Sequence, residues 1–128
     1  MTILLDTCTF LWLISAAPEL SDKARQLAVN PSNTVFLSAA SAWEIIVKNR
    51  LGKLPLPMAA DKFVYHWRIK HQIASLPLDE AAVFHLAKLP DYHKDPFDRM
   101  IICQAIANSM VILTPDNHIS QYPVRTDW

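Results

Sequence analysis

Short unbroken apolar runs alternate along this chain with longer stretches in which apolar residues recur every three or four positions. Thr2-Ile3-Leu4-Leu5, Thr34-Val35-Phe36-Leu37 and Val111-Ile112-Leu113 are the short runs, β-branched or aromatic and bounded by polar residues, so they are expected to be strands. Ile73–Leu76 is a further, shorter candidate. Helices are expected over Thr9–Ala17, over Asp22–Val29 behind a Ser21 cap, and from Ser38 to about Arg50. Gly52, the only glycine, fits the exit of that third helix. Ala59–His71 reads as an amphipathic helix, Asp79 opens another that reaches about Leu89, and Asp95-Pro96 opens one that reaches about Asn108. Strands with no polar alternation suit a sheet covered on both faces, and their alternation with helices predicts an α/β fold with a mainly parallel sheet.

Length adds that residues 1–128 make one domain. Hydrophobic residues at 52% and charged residues at 19% are enough for a core and exclude a disordered chain. No run approaches the roughly 18–20 apolar residues of a membrane span. MTILLDTCTF lacks the basic leader of a signal peptide, and two cysteines make no disulfide framework, so a cytoplasmic protein is expected. Lys and Arg balance Asp and Glu at 12 each, so no basic surplus advertises a nucleic-acid partner; an acidic pocket inside a basic rim stays open.

Several chemistries fall away. One glycine leaves no phosphate-binding loop, and the five histidines show no paired zinc spacing. Cys8 and Cys103 lie among apolar residues and read as core fillers. An aspartyl-phosphate phosphatase would need a second Asp two residues after Asp6, where Cys8 stands.

Carboxylates carry what remains. Asp6 follows the first strand and Asp116 follows the last apolar one, and ligands of open parallel sheets gather at such strand ends. An Asp there also commonly caps the next helix. Glu44 lies in Ala39-Ala40-Ser41-Ala42-Trp43-Glu44-Ile45-Ile46-Val47, a setting that penalises a carboxylate unless it is paired or metal-bound; the alternative is a solvent-facing pair with Lys48. Asp95 is explained as a helix cap, and Asp98 in the same turn complements the helix dipole while standing where it could reach a cation. Hard cations such as Mg²⁺ and Mn²⁺ prefer such oxygens, and one or two of them can activate water for phosphodiester cleavage. Thr7 and Thr114 could orient the acids or merely cap backbone. Lys48, Arg50, Lys53 and Arg99 are rim candidates for phosphate contacts, with a solvated helix face, or for Arg99 an ion pair, as the plainer roles.

The ordered set Leu4-Leu5-Asp6-Thr7, Ser41-Ala42-Trp43-Glu44-Ile45, Leu51-Gly52-Lys53-Leu54, Asp95-Pro96-Phe97-Asp98-Arg99-Met100-Ile101-Ile102-Cys103-Gln104-Ala105 and Leu113-Thr114-Pro115-Asp116 resembles the PIN-domain family. More narrowly it is similar to the VapC-type toxins of bacterial toxin–antitoxin pairs. The resemblance implies a three-layer α/β/α sandwich around a parallel sheet of about five strands, and a Mg²⁺- or Mn²⁺-dependent endoribonuclease. It places the family's acidic quartet on Asp6, Glu44, Asp98 and Asp116, with Thr7, Asp95 and Thr114 as supporting residues. Pro115 stands where a basic or polar residue is more usual. The implied partners are an RNA substrate, a small cognate antitoxin and a second copy of the chain. A non-catalytic PIN-like binding module, and a metal nuclease acting on DNA, are the alternatives the same residues leave open.

Overall fold

The computed structural model describes residues 1–128. Five parallel strands, β1 (Thr2–Leu5), β2 (Thr34–Ser38), β3 (Ala74–Leu76), β4 (Val111–Leu113) and β5 (Arg125–Asp127), form one sheet in the order β3-β2-β1-β4-β5. The helices are α1 (Thr7–Ser15), α2 (Asp22–Val29), α3 (Ala39–Arg50), α4 (Ala60–Lys70), α5 (Glu80–Phe84), α6 (Pro96–Asn108) and α7 (Asn117–Ser120). The expected α/β fold is thus found, as a three-layer sandwich.

The strand residues alternate between two cores. Ile3, Leu5, Val35, Leu37 and Leu113 pack with Phe10, Leu13, Ile45 and Phe63 from α1, α3 and α4. Leu4 and Ile112 face the other way, onto Ile101, Ile102, Ala105 and Ile119 from α6 and α7. This is why the strands read as unbroken apolar runs: each face of the sheet is covered. Connections that step from β1 to β2 and β3 carry their helices on the first face. Those that step to β4 and β5 carry theirs on the second, as crossovers of a single hand require.

Two elements escaped the sequence pattern. α7 is one turn long, and β5 (Arg125-Thr126-Asp127) has no apolar run because it is an edge strand with little buried surface. The helix expected over Thr9–Ala17 begins at Thr7 instead, directly after Asp6. The single helix expected from Asp79 is broken, α5 giving way to a 3-10 turn over His85–Lys88. Elsewhere the ends are as expected: Ser21, Ser38, Asp79 and Asp95 cap their helices through their side chains. Gly52 takes φ +74° at the exit of α3, a left-handed conformation that favours glycine.

The chain runs from β1 to one side of the sheet and later returns to β4 on the other side, so the topology reverses between β1 and β4. In parallel sheets that point opens a crevice at the carboxyl ends of the strands. Asp6 follows β1 there, and Thr114 and Asp116 follow β4.

Candidate active site

Asp6 enters the crevice from the turn between β1 and α1. It occupies the cap position of α1, yet its side chain makes no cap hydrogen bond. Its oxygen Oδ2 instead accepts from Thr114 Oγ1 at 2.8 Å, across the β1–β4 boundary. The residue is only 6% exposed. Burial therefore dominates its titration, and with the nearby charges of Asp98 and Asp116 it pushes the carboxyl up to about 6, against the stabilising Thr114 hydroxyl and Thr7 amide. Helix capping does not explain Asp6.

Asp116 is placed by a Thr-Pro-Asp turn in which its amide donates to Thr114 Oγ1 at 3.0 Å. Thr114 therefore holds both acids, donating to one and accepting from the other. Asp116 also caps α7, its Oδ1 accepting from the His118 amide at 2.8 Å.

Asp98 comes from the first turn of α6, whose start is fixed by Asp95. That cap accepts the amides of Phe97 and Asp98 at 2.9 and 3.0 Å and is itself exposed. Asp98 is not a cap. Its Oδ2 accepts from His93 Nε2 at 3.0 Å. Burial raises its carboxyl above the usual range, and the charges of Asp95 and Asp116 add to that, against the His93 hydrogen bond.

Glu44 reaches the site from α3 and is 6% exposed, so it does not face solvent. Thr7 Oγ1 donates to its Oε1 at 2.8 Å and lies 2.9 Å from Ser41 Oγ. Lys48 Nζ pairs with its Oε2 at 2.5 Å, and this holds the lysine's pKa up. Both expected roles thus hold in part: Glu44 is buried, and it pairs with Lys48.

The structure brings together Asp6, Asp98 and Asp116, whose charges act on one another, with Asp95 beside Asp98. Glu44 flanks this trio and joins it through Thr7 and through Cys8, whose thiol feels Asp6, Glu44 and Asp98. Of the rim candidates, Lys48 is committed to Glu44, while Arg50 and Lys53 are exposed. Arg99 is turned inward, donating to the carbonyls of Pro90 and His93, to Tyr122 Oη and to Asp91. Of its expected roles, the ion pair is the one present.

One cysteine reading is corrected. Cys103 is buried as expected, but Cys8 is exposed on α1 beside the acids. Partial desolvation and those acids push its thiol up to about 11, which leaves it a poor nucleophile. Two residues of the site were missed, His93 and Tyr122. His93 was set aside for lacking zinc spacing, and Tyr122 carried no signal because the short α7 before it went unrecognised.

The donor set here is carboxylate and hydroxyl oxygen, the preference of Mg²⁺ or Mn²⁺. No three His, Cys, Asp or Glu side chains converge tightly enough to hold one ion outright. Magnesium keeps several waters and commonly takes only one or two carboxylates, so the spacing suits it. An acid raised by burial, and further by two acidic neighbours, is also the setting that a bound cation relieves. The residues fit a divalent ion.

The acidic cluster thus stands at the topological switch point of an α/β sandwich. The sequence model of the PIN domain family matches residues 3–124, and the chain belongs to that family. Ribonuclease VapC16 of Mycobacterium tuberculosis is 35% identical over 69 residues, which is 54% of this chain and 49% of that protein, so the match spans about half the relative's length. Among solved structures, VapBC2 from Rickettsia felis bound to a promoter DNA fragment superposes with a TM-score of 0.74 at 16% identity, covering 99% of this chain and 98% of the other. The DNA-bound VapBC from Salmonella typhimurium gives 0.70 at 20% identity, covering 99% and 97%. FitAcB from Neisseria gonorrhoeae gives 0.63 at 24%, covering 97% and 95%. These likenesses establish the fold.

Proposed function

We propose that this chain is a Mg²⁺- or Mn²⁺-dependent endoribonuclease that acts as the toxin of a toxin–antitoxin pair. The observation that supports it best is the trio Asp6, Asp98 and Asp116, in which burial and mutual repulsion raise Asp6 to about 6. Bound there, a divalent ion would activate water and neutralise charge developing on the phosphate. Asp6, Asp98 and Asp116 would hold it, one or two of them directly and the rest through its waters, with Glu44 beside them. Thr114 fixes the two strand-end acids relative to each other, and Thr7 fixes Glu44. Arg50 and Lys53, both exposed, offer positive charge at the rim, while the Lys48 charge is paired with Glu44.

The similar ribonuclease and the toxin–antitoxin complexes favour RNA as substrate and a small antitoxin as partner. A basic side chain of that antitoxin would find its complement in the acidic trio. Homodimerisation is supported by the exposed apolar side chains of Val83 and Leu86 on one hollow and Trp43 on another, the two hollows sharing Leu78 and Met100. No helix is long and apolar enough to cross a membrane.

Purified protein offered RNA, single-stranded DNA and a small phosphodiester, each with Mg²⁺ or Mn²⁺, tests the substrate. Selective cutting of RNA is expected. Equal cutting of DNA would move the assignment to a general nuclease, and no cutting of any of them would favour a binding module.

A further inference from the structure

We propose that Arg99, Tyr122 and His93 form a fixed hydrogen-bond relay that positions the Asp98 carboxylate for the cation. The inference rests on the metal-dependent reading above and extends it to residues outside the acidic set. Arg99 can only donate, and its Nη1 reaches Tyr122 Oη at 3.0 Å. The same oxygen receives the His93 amide at 3.1 Å. Two donors already point at the phenol oxygen, so its single proton goes to the nearest acceptor. That acceptor is His93 Nδ1 at 2.7 Å, rather than the His93 carbonyl at 3.4 Å. Nδ1 is thereby an acceptor, and Nε2 carries the ring's proton and donates it to Asp98 Oδ2 at 3.0 Å. The geometry thus gives the two ring nitrogens distinct roles, Nδ1 accepting from Tyr122 and Nε2 donating to Asp98.

The relay is rigidly mounted. Tyr122 is 3% exposed and packs in the core under α6, and the side chains of Arg99 and His93 are 12% and 13% exposed. The His118 ring stacks on His93 with centroids 5.5 Å apart and planes 8° from parallel, which fixes the ring's tilt. Arg99 also ties down the segment that carries His93, through the carbonyls of Pro90 and His93 and the carboxylate of Asp91. Asp98 Oδ2 is thus held from outside the trio. An outer-shell donor that fixes a ligating carboxylate typically changes metal affinity by about 10–100-fold when removed. His93 is a positioning residue in this scheme, and so are Tyr122 and Arg99.

The test compares His93→Ala, His93→Gln and Tyr122→Phe with the natural sequence, each prepared free of metal. Mn²⁺ binding is read from the loss of the free-ion paramagnetic resonance signal, with thermal unfolding and RNA cleavage in parallel. Loss of the donor in His93→Ala should weaken Mn²⁺ binding at least about tenfold, while His93→Gln, whose amide can replace the Nε2 donor, should stay within about threefold. Tyr122→Phe keeps the buried ring and frees the tautomer, so it should weaken Mn²⁺ by several-fold while remaining folded. Equal weakening in the Ala and Gln variants would assign the effect to ring packing and overturn the relay. Unchanged Mn²⁺ affinity in His93→Ala would overturn it as well, and would leave the metal reading standing. If the natural protein itself binds no Mn²⁺, the metal-dependent function falls first, and the relay with it.

Discussion

Asp6→Asn separates the two reasons a protein can have for a buried acid. If Asp6 served the fold, its replacement would cost stability. The structure predicts the reverse, because the side chain caps nothing and its charge is desolvated next to Asp98 and Asp116. The carboxyl rises from 3.8 to about 6 on folding. At about 1.4 kcal/mol per unit, holding it ionised costs the metal-free fold on the order of 3 kcal/mol. A neutral amide escapes that cost and can still accept from Thr114 Oγ1, but it carries its own burial penalty, so the net gain should be about 1–2 kcal/mol. The sign with pH follows from the raised value. Below about 4 the acid is protonated in both states and the variant has no advantage. The advantage grows between about 4 and 6 as the unfolded chain ionises first, and is complete above 6. Urea unfolding of both proteins with chelator present, at pH 4 and pH 7.5, measures this directly. A variant less stable than the natural protein at pH 7.5, or an equal difference at both pH values, would refute the reasoning.

Other consequences can be measured separately. Mn²⁺ affinity should fall as pH drops below about 6, where a proton competes for Asp6, and calorimetric titration at pH 5 and 7.5 checks it. Thr114→Val removes the hydroxyl that serves Asp6 and the Asp116 amide, and should cut cleavage while costing about 1–2 kcal/mol in chemical unfolding. The proposed homodimer is checked by sedimentation: the natural protein should run as a dimer and Leu86→Glu as a monomer with an unchanged circular dichroism spectrum. A monomeric natural protein would remove the proposal, whereas an unshifted Leu86→Glu dimer would move the interface elsewhere.

The sequence disclosed the parts of this fold whose burial is two-sided. β1, β2 and β4 announce themselves because alternate residues of each feed different cores, and α6 because Asp95-Pro96 is a strong start signal. β5 could not be found this way, since an edge strand of Arg125, Thr126 and Asp127 gains its order from pairing with β4 rather than from its own side chains. α1 starts two residues before the expected Thr9, and Thr7 can open it inside the protein because its hydroxyl is spent on Glu44 and Ser41. The acids were legible as candidates from strand ends and an apolar neighbourhood. Apart from Asp95, whose cap the Asp95-Pro96 start gave away, their roles were not, because a capping Asp and a non-capping one look identical in sequence: Asp116 caps, whereas Asp6 and Asp98 do not. Arg99 and His93 depend on a partner, Tyr122, more than twenty residues away, and no local pattern encodes such a contact.

Asp6, Asp98 and Asp116 are proposed to serve a divalent ion in cutting RNA. Cleavage of a labelled RNA at stepped Mn²⁺ concentrations, for the natural protein and for Asp98→Asn, tests this most directly. The account predicts cutting that rises with Mn²⁺, stops with chelator, and is lost in an Asp98→Asn protein that remains folded. Cutting that persists in chelator, or that Asp98→Asn leaves undiminished across the titration, would contradict it.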